Sequence, residues 1–302
     1  MGNPIRTLSS FNITDWFGKK FPRDCLQYPD LESYCDTLRT IPPQCPVNYS
    51  INAHLPIQNF LSSTFPSHSH SLVIEAASQC FTNNPPTKIL ATLVERDIPP
   101  DKFIQDLLLE FGQAVLDRQT SIRDPLYNRS FLPLWVLTLW ERLAELNAAK
   151  KKWISARTWL QQSSRNLAPA TFATATQHLA RTGWCADITV GQECATTLTL
   201  PQLLADARLN GTVLDLMVQC VQTEVADSGN AGVYVCGTLF PNKVAQLWET
   251  RAKPPDWFQK RFIDPVLDSQ GHTLYFPMFW PEHEHWVSVR INFDKRLISV
   301  GQ

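Results

Sequence analysis

The amino-acid sequence predicts an α+β protein, a mainly helical region followed by helices that carry a small mixed sheet. Three observations predict it. Apolar residues recur at helical spacing from Phe103 to Leu160. Period-two alternation, the pattern of a half-buried strand, is clearest after Thr273. Between them, Ser163-Ser164-Arg165-Asn166 breaks the helical pattern, so the expected division is a helical region over 1–165 and a helix-and-sheet domain over 166–302.

Residues 1–100 are rich in Pro, Ser and aromatic side chains and weakly periodic, with short helices expected at 29–39 and 71–80. Asp101, after Pro99-Pro100, is the expected N-cap of a stronger helix. Phe103, Leu107, Phe111 and Val115 follow at four-residue spacing, and Ile104 and Leu108 widen the stripe. A second helix is expected from Leu132-Pro133, because proline is tolerated in a first turn. Trp135, Leu139, Leu143 and Leu146 share its face. Asn147-Ala148-Ala149 is expected to interrupt it before Trp153, Arg157 and Leu160 resume a third. The tryptophans here read as packing anchors.

In the second half, a helix at 169–181 precedes one opening at Leu209-Asn210, whose buried side is expected to hold Val213, Leu216, Met217 and Cys220. A strand at Val233–Cys236, a helix at 240–248 and strands at 273–279, 286–293 and 296–300 follow. After His285, the residues Val287, Val289, Ile291 and Phe293 form the expected core face. They alternate with Trp286, Ser288, Arg290 and Asn292, and Asp294-Lys295 reads as the turn.

Bulk properties exclude several classes. The 302 residues are 44% hydrophobic and 18% charged, ordinary globular composition. Net charge is −1 and no basic block exceeds Lys150-Lys151-Lys152, so no footprint for nucleic acid is present. No stretch approaches the ~20 apolar residues of a membrane span. The start lacks an apolar leader, and Arg6 occupies the Ser/Thr position of a myristoylation signal. An intracellular protein, in nucleus or cytoplasm, is expected, and the sequons at Asn12, Asn48, Asn128 and Asn210 are read as coincidental. The eight cysteines include no Cys-x-x-Cys pair; Cys25, Cys35 and Cys45 are evenly spaced but lack the close pairing of a metal site.

One histidine and one tryptophan, His285-Trp286, stand together at the start of an alternating strand. A rigid scaffold of that kind suits a general base. A lone histidine is ordinarily a surface or satisfied core residue. His283 and His285 could share one side of an extended segment near Glu282 and Glu284, but no further ligand has recognisable spacing. No metal and no cofactor is expected.

The order of elements gives the histidine a context. Leu209-Asn210 opens a helix; Val233-Tyr234-Val235 is a strand; Leu239-Phe240 begins a helix; Leu274-Tyr275-Phe276-Pro277 is an apolar strand; His285-Trp286 follows. This order, over roughly the last third of the chain, resembles the ubiquitin-like-protein-specific (SUMO/sentrin) cysteine protease family. A helical first half before such a domain is similar to fungal members. The resemblance implies a papain-like fold. It further implies that His285 is the base that draws a proton from a cysteine, that Trp286, Leu209 and Asn210 bind substrate, and that the partner is a SUMO-type modifier whose Gly-Gly tail passes beneath Trp286.

The chain departs from the family pattern. Arg208 and Gly211 stand where the family's Trp-Leu-Asn-Asp motif has Trp and Asp. Val300-Gly301-Gln302 ends the chain where the orienting Asp belongs, and all eight cysteines precede His285. Cys220 and Cys236 lie in apolar stretches expected to raise their thiol pKa. A domain truncated after its histidine strand, without peptidase activity and with an exposed, aggregation-prone sheet edge, is therefore expected. The alternatives are a non-catalytic modifier-binding module and a helical protein-interaction scaffold in 1–165.

Overall fold

The computed structural model describes residues 29–43, 51–87, 93, 96–127, 130–164, 166, 168–204, 208–229, 232–264 and 273–301. In chain order they form α1 (Pro29–Arg39), α2 (Ile57–Ser62), β1 (Phe81–Thr82), α3 (Asp101–Leu116), β2 (Ser121–Arg123), β3 (Phe131–Pro133), α4 (Val136–Ser163) and α5 (Pro169–Arg181). There follow β4 (Asp187–Val190), β5 (Glu193–Thr196), α6 (Gly211–Asp227), β6 (Val233–Val235), α7 (Leu239–Thr250), α8 (Asp256–Phe258), β7 (Thr273–Trp280), β8 (His285–Asn292) and β9 (Leu297–Gly301). The protein is α+β, about half helical with small mixed sheets. Among the described residues no helix is long and apolar enough to cross a membrane.

The chain divides into two compact units, Met1–Ile51 with Ser62–Lys151, and Asn52–Leu61 with Lys152–Gln302. In the first, α3, α4 and the antiparallel sheet β1-β2-β3 share one core containing Phe103, Leu107, Phe111, Ile122, Leu132 and Leu139. Asp124 is buried there; it accepts the Leu126 and Tyr127 amides at 2.9 and 3.2 Å and pairs with Arg96 at 3.1 Å.

Several helical boundaries differ from the sequence reading. The expected helix at 71–80 is reduced to a single 3-10 turn, Ala77–Gln79, because the Val73 and Ile74 amides are taken by the Pro125 carbonyl. Pro100, not Asp101, occupies the cap position of α3; Asp101 lies in the first turn, 2.6 Å from His68 Nε2. Leu132-Pro133 is strand, not helix: the residue before a proline favours extended backbone, and Leu132 pairs with Ile122. Nor does Asn147 interrupt α4, since its side-chain amide donates to the Pro66 carbonyl at 2.8 Å, away from the helix backbone. Leu146, Ala149, Trp153, Ala156 and Leu160 carry the buried stripe on, leaving Arg157 exposed. Lys150 is not simply solvated, for its ammonium donates to the Ser63 carbonyl and lies over the Phe65 ring.

The second unit begins on a tryptophan pair. The Trp153 indole donates to the Trp184 carbonyl at 2.9 Å, and the Trp184 indole donates to the Asn52 carbonyl at 3.0 Å. Trp184 stacks on Phe60 with centroids 4.2 Å apart. This is why 52–61 joins the unit. A two-residue turn at Gly191, in the left-handed region at φ 60°, folds 187–196 into a hairpin that the sequence reading passed over.

The main sheet has the order β6-β7-β8-β9, with β6 parallel to β7 and the rest antiparallel. A parallel pair needs a crossover, and α7 and α8 lie on it between β6 and β7. Cys236, Phe258, Phe262, Leu274, Phe276 and Val287 form the core beneath the sheet, and Phe240 meets three of these rings at 5.1–6.0 Å. Val287 and Val289 face it as expected. Phe293 does not: it lies in the turn, 47% exposed, while Asn292 is buried and accepts the Lys295 amide at 2.7 Å. All five residues of the edge strand β9 are exposed.

Gly183 approaches the Ala53 carbonyl so closely that an added Cβ would meet it at 2.8 Å. Gly183→Ala is expected to lower stability by about 1–3 kcal/mol, read by denaturant unfolding, because backbone rather than a flexible side chain must yield.

Candidate functional site

His285 opens β8 and is exposed, with Trp280 as its partner in the register of β7. The connection between the strands is tight. Pro281–His283 is a 3-10 turn, and Glu284 is left-handed at φ 46°, a conformation that costs a non-glycine residue roughly 1–2 kcal/mol. The segment is therefore not extended, which removes the geometry for pairing His283 with His285. The His283 ring instead meets Trp280 edge-on at 4.5 Å. Among the described residues no group of three or more His, Cys, Asp or Glu side chains is placed to hold a metal ion.

Trp286 is half-buried and tilted against Phe279 with centroids 5.1 Å apart. Its indole donates to the Leu209 carbonyl at 2.8 Å, joining the start of β8 to the residues that open α6. Next to Leu209, the Asn210 side chain accepts the Val213 amide at 3.0 Å and caps α6. The structure thus brings His285, Trp286 and Leu209 to one groove and uses the Asn210 side chain as a cap.

That groove has a volume of about 850 Å³. Its walls include Leu214, Met217, Val218, Val221, Phe279 and Trp286; Arg208, Glu284 and His285 supply its charged and titratable groups. Arg208 and Glu284 pair with each other at 76% and 59% side-chain exposure. No local pattern marks the pair, because the turn that aims Glu284 rests on a left-handed residue that is not glycine. Met217 and Cys220, expected on the buried side of α6, are exposed, and Met217 faces this groove.

A carboxylate that the sequence reading passed over lies one turn into α6. Asp215 accepts the Thr238 amide at 2.7 Å and its hydroxyl at 2.8 Å, capping α7 from a distant part of the chain. At Gly237 an added Cβ would come within 2.5 Å of that carboxylate, so a larger residue there would push the Asp215 side chain from its place. No local pattern marks such a cap.

No cysteine is among the residues lining the groove. Cys236 is fully buried, and burial pushes its thiol up to about 12, the Arg261 charge opposing only weakly. Cys35 and Cys80 are likewise pushed up, to about 11 and about 12, by burial. Cys25, Cys45 and Gln302 lie outside the described residues, as do Asn12, Asn48 and Asn128. No family model, no curated protein and no solved structure matches this chain.

Two outcomes follow from this geometry. Trp286→Phe keeps an aromatic side chain but loses the indole N–H that donates to Leu209 and part of the ring packed on Phe279, and is expected to cost more than about 1 kcal/mol in denaturant unfolding. In native protein at about pH 8, iodoacetamide is expected to modify the exposed Cys194 and Cys220 and to spare Cys236 until denaturant is added, read by peptide mass spectrometry. Below its ordinary value of 9.0 the Cys236 thiol is protonated whether the chain is folded or not. Between there and about 12 the unfolded chain ionises first, so this thiol's contribution to stability falls as pH rises through that window.

Proposed function

We propose that the second unit is a papain-like domain of the ubiquitin-like-protein protease type, which docks the tail of a SUMO-type modifier along the groove beneath Trp286. With the residues described, it does so without cleaving. One observation carries the reading. The His-Trp pair and the Leu-Asn that opens α6, 77 residues apart between Trp286 and Leu209, meet in a direct hydrogen bond beside an open groove. The parallel β6–β7 pair and the Phe240 cluster agree with the order of elements on which the resemblance rests.

The absence of cleavage follows from chemistry. A thiol attacks as the thiolate, and activation needs a neighbouring cation or base with access to the sulfur. Cys236 is enclosed and protonated, and neither Cys194 nor Cys220 lines the groove. An imidazole without a sulfur can bind and orient a peptide but cannot form an acyl-enzyme.

Isotope-labelled SUMO-type modifier titrated with the protein is expected to show NMR shift changes concentrated in its C-terminal tail, while a modifier–reporter fusion stays intact. No shift changes at high micromolar protein would end the docking reading. Cleavage that stops on thiol alkylation would overturn the claim of inactivity, and cleavage that survives alkylation would overturn the thiol-protease assignment.

A further inference from the structure

A second cavity, of about 520 Å³, borders α6, the β4–β5 hairpin, β6 and the turn Gln259–Ile263. Its lining shares only Val235 with the groove. Leu214, Met217, Val218 and Val221 of α6 line the groove, whereas Asp215, Gln219 and Gln222, four and three residues apart, line this cavity. A polar helix face ordinarily meets bulk water. Here it is one wall of a space within the range of small-molecule sites, about 300–1,000 Å³.

The side chains of this wall are each held by one bond and keep hydrogen-bonding capacity toward the cavity. Gln219 Oε1 accepts the Gln192 amide at 3.4 Å, and a Cβ added at Gly191 would meet that oxygen at 2.1 Å, so the carboxamide lies directly on the hairpin turn. Its Nε2 has no partner among the described residues. Gln222 is held the opposite way round: Nε2 donates to the Val235 carbonyl, which leaves Oε1 as an acceptor. The Tyr234 hydroxyl donates to the Arg261 carbonyl at 3.1 Å and keeps its lone pairs. Glu193 and Arg261 stand 3.8 Å apart, beyond hydrogen-bond reach of each other. Asp215 is the exception, since Thr238 takes both its oxygens.

We propose that this cavity binds a neutral sugar through its vicinal hydroxyls. The chemistry of the lining selects the class. One arginine stands against Glu193 and Asp215, so there is no surplus of positive charge for a phosphate or sulfate. The polar wall is equally unsuited to a lipid. What remains is a neutral ligand that must meet a donor at Gln219, acceptors at Gln222, Tyr234 and Glu193, and a donor at Arg261. A hydroxyl both donates and accepts, so a ring of hydroxyls satisfies all of them, and adjacent hydroxyls suit the planar, two-atom ends of Gln, Glu and Arg. The Tyr234 and Phe262 rings, also in the lining, give the C–H face of the sugar an apolar surface. Water can meet the same groups one at a time; a sugar gains over water by carrying its hydroxyls in one preassembled frame. This site is independent of the docking reading, because it uses the other face of α6.

The test titrates the full 302-residue chain with glucose, galactose, mannose, N-acetylglucosamine and maltose, read by saturation-transfer NMR and calorimetry. At least one is expected to bind with a Kd of about 1 mM, the range open to a ligand of so few atoms. Gln219→Glu keeps the acceptor for the Gln192 amide but replaces the N–H donor, and should weaken that sugar about tenfold or more. Met217→Ala, on the groove face of α6, should leave sugar binding unchanged. The unaltered chain supplies the same test from the ligand side: among the 2-, 3-, 4- and 6-deoxy forms of the sugar that binds best, removal of a contacting hydroxyl should cost a similar factor. Three results overturn the proposal: no binding by any of the five sugars up to about 50 mM, binding that Gln219→Glu leaves intact or Met217→Ala weakens equally, and deoxy forms that all bind as well as the parent sugar.

Discussion

The hydrogen bond from the Trp286 indole to the Leu209 carbonyl is the contact on which the site depends. Its net worth is modest, about 1 kcal/mol for an ordinary neutral pair. Its importance is positional. It fixes the strand that begins with His285 against the segment that opens α6, and so sets one wall of the groove. The same segment is held from its other side by the Asn210 cap, and one turn further on Asp215 reaches across to cap α7. Three polar contacts thus converge on the first turn and a half of α6. They tie together two helices and the histidine strand.

The electrostatics of the second unit separate a sulfur from an imidazole. Cys236 follows β6 directly into the core, where Phe258, Phe262 and Phe276 surround it. Burial keeps its proton on, so the thiol behaves as a small apolar side chain. His285 sits at the opposite extreme, exposed at the end of a tight turn. The groove is therefore walled by apolar side chains and carries an imidazole and an exposed ion pair.

The sequence made some elements legible because the information is local. The stripe of Phe103, Leu107, Phe111 and Val115 can only be satisfied by a helix with one buried face, and the alternation of Val287 with Ser288 and of Val289 with Arg290 only by a strand. Other elements were decided by partners distant in sequence. Asn147 would break a helix if its amide turned on its own backbone, and the Pro66 carbonyl gives it somewhere else to go. Phe293 continues the alternating pattern in sequence, yet the chain has already turned, and the buried position passes to Asn292. The hairpin at 187–196 was readable in principle from Gly191 between two short alternating runs.

For the candidate site, the sequence by itself determined the residue types and their order: a His-Trp pair opening a strand and a Leu-Asn pair opening a helix. Those follow from local periodicity and capping, which act over a few residues. Only the tertiary structure decided that Trp286 meets Leu209, that Arg208 pairs with Glu284, that Cys236 is enclosed and that Cys220 is exposed. Each of these depends on which surfaces the sheet and helices bury against one another, a property of contacts across tens of residues that no short window of sequence contains.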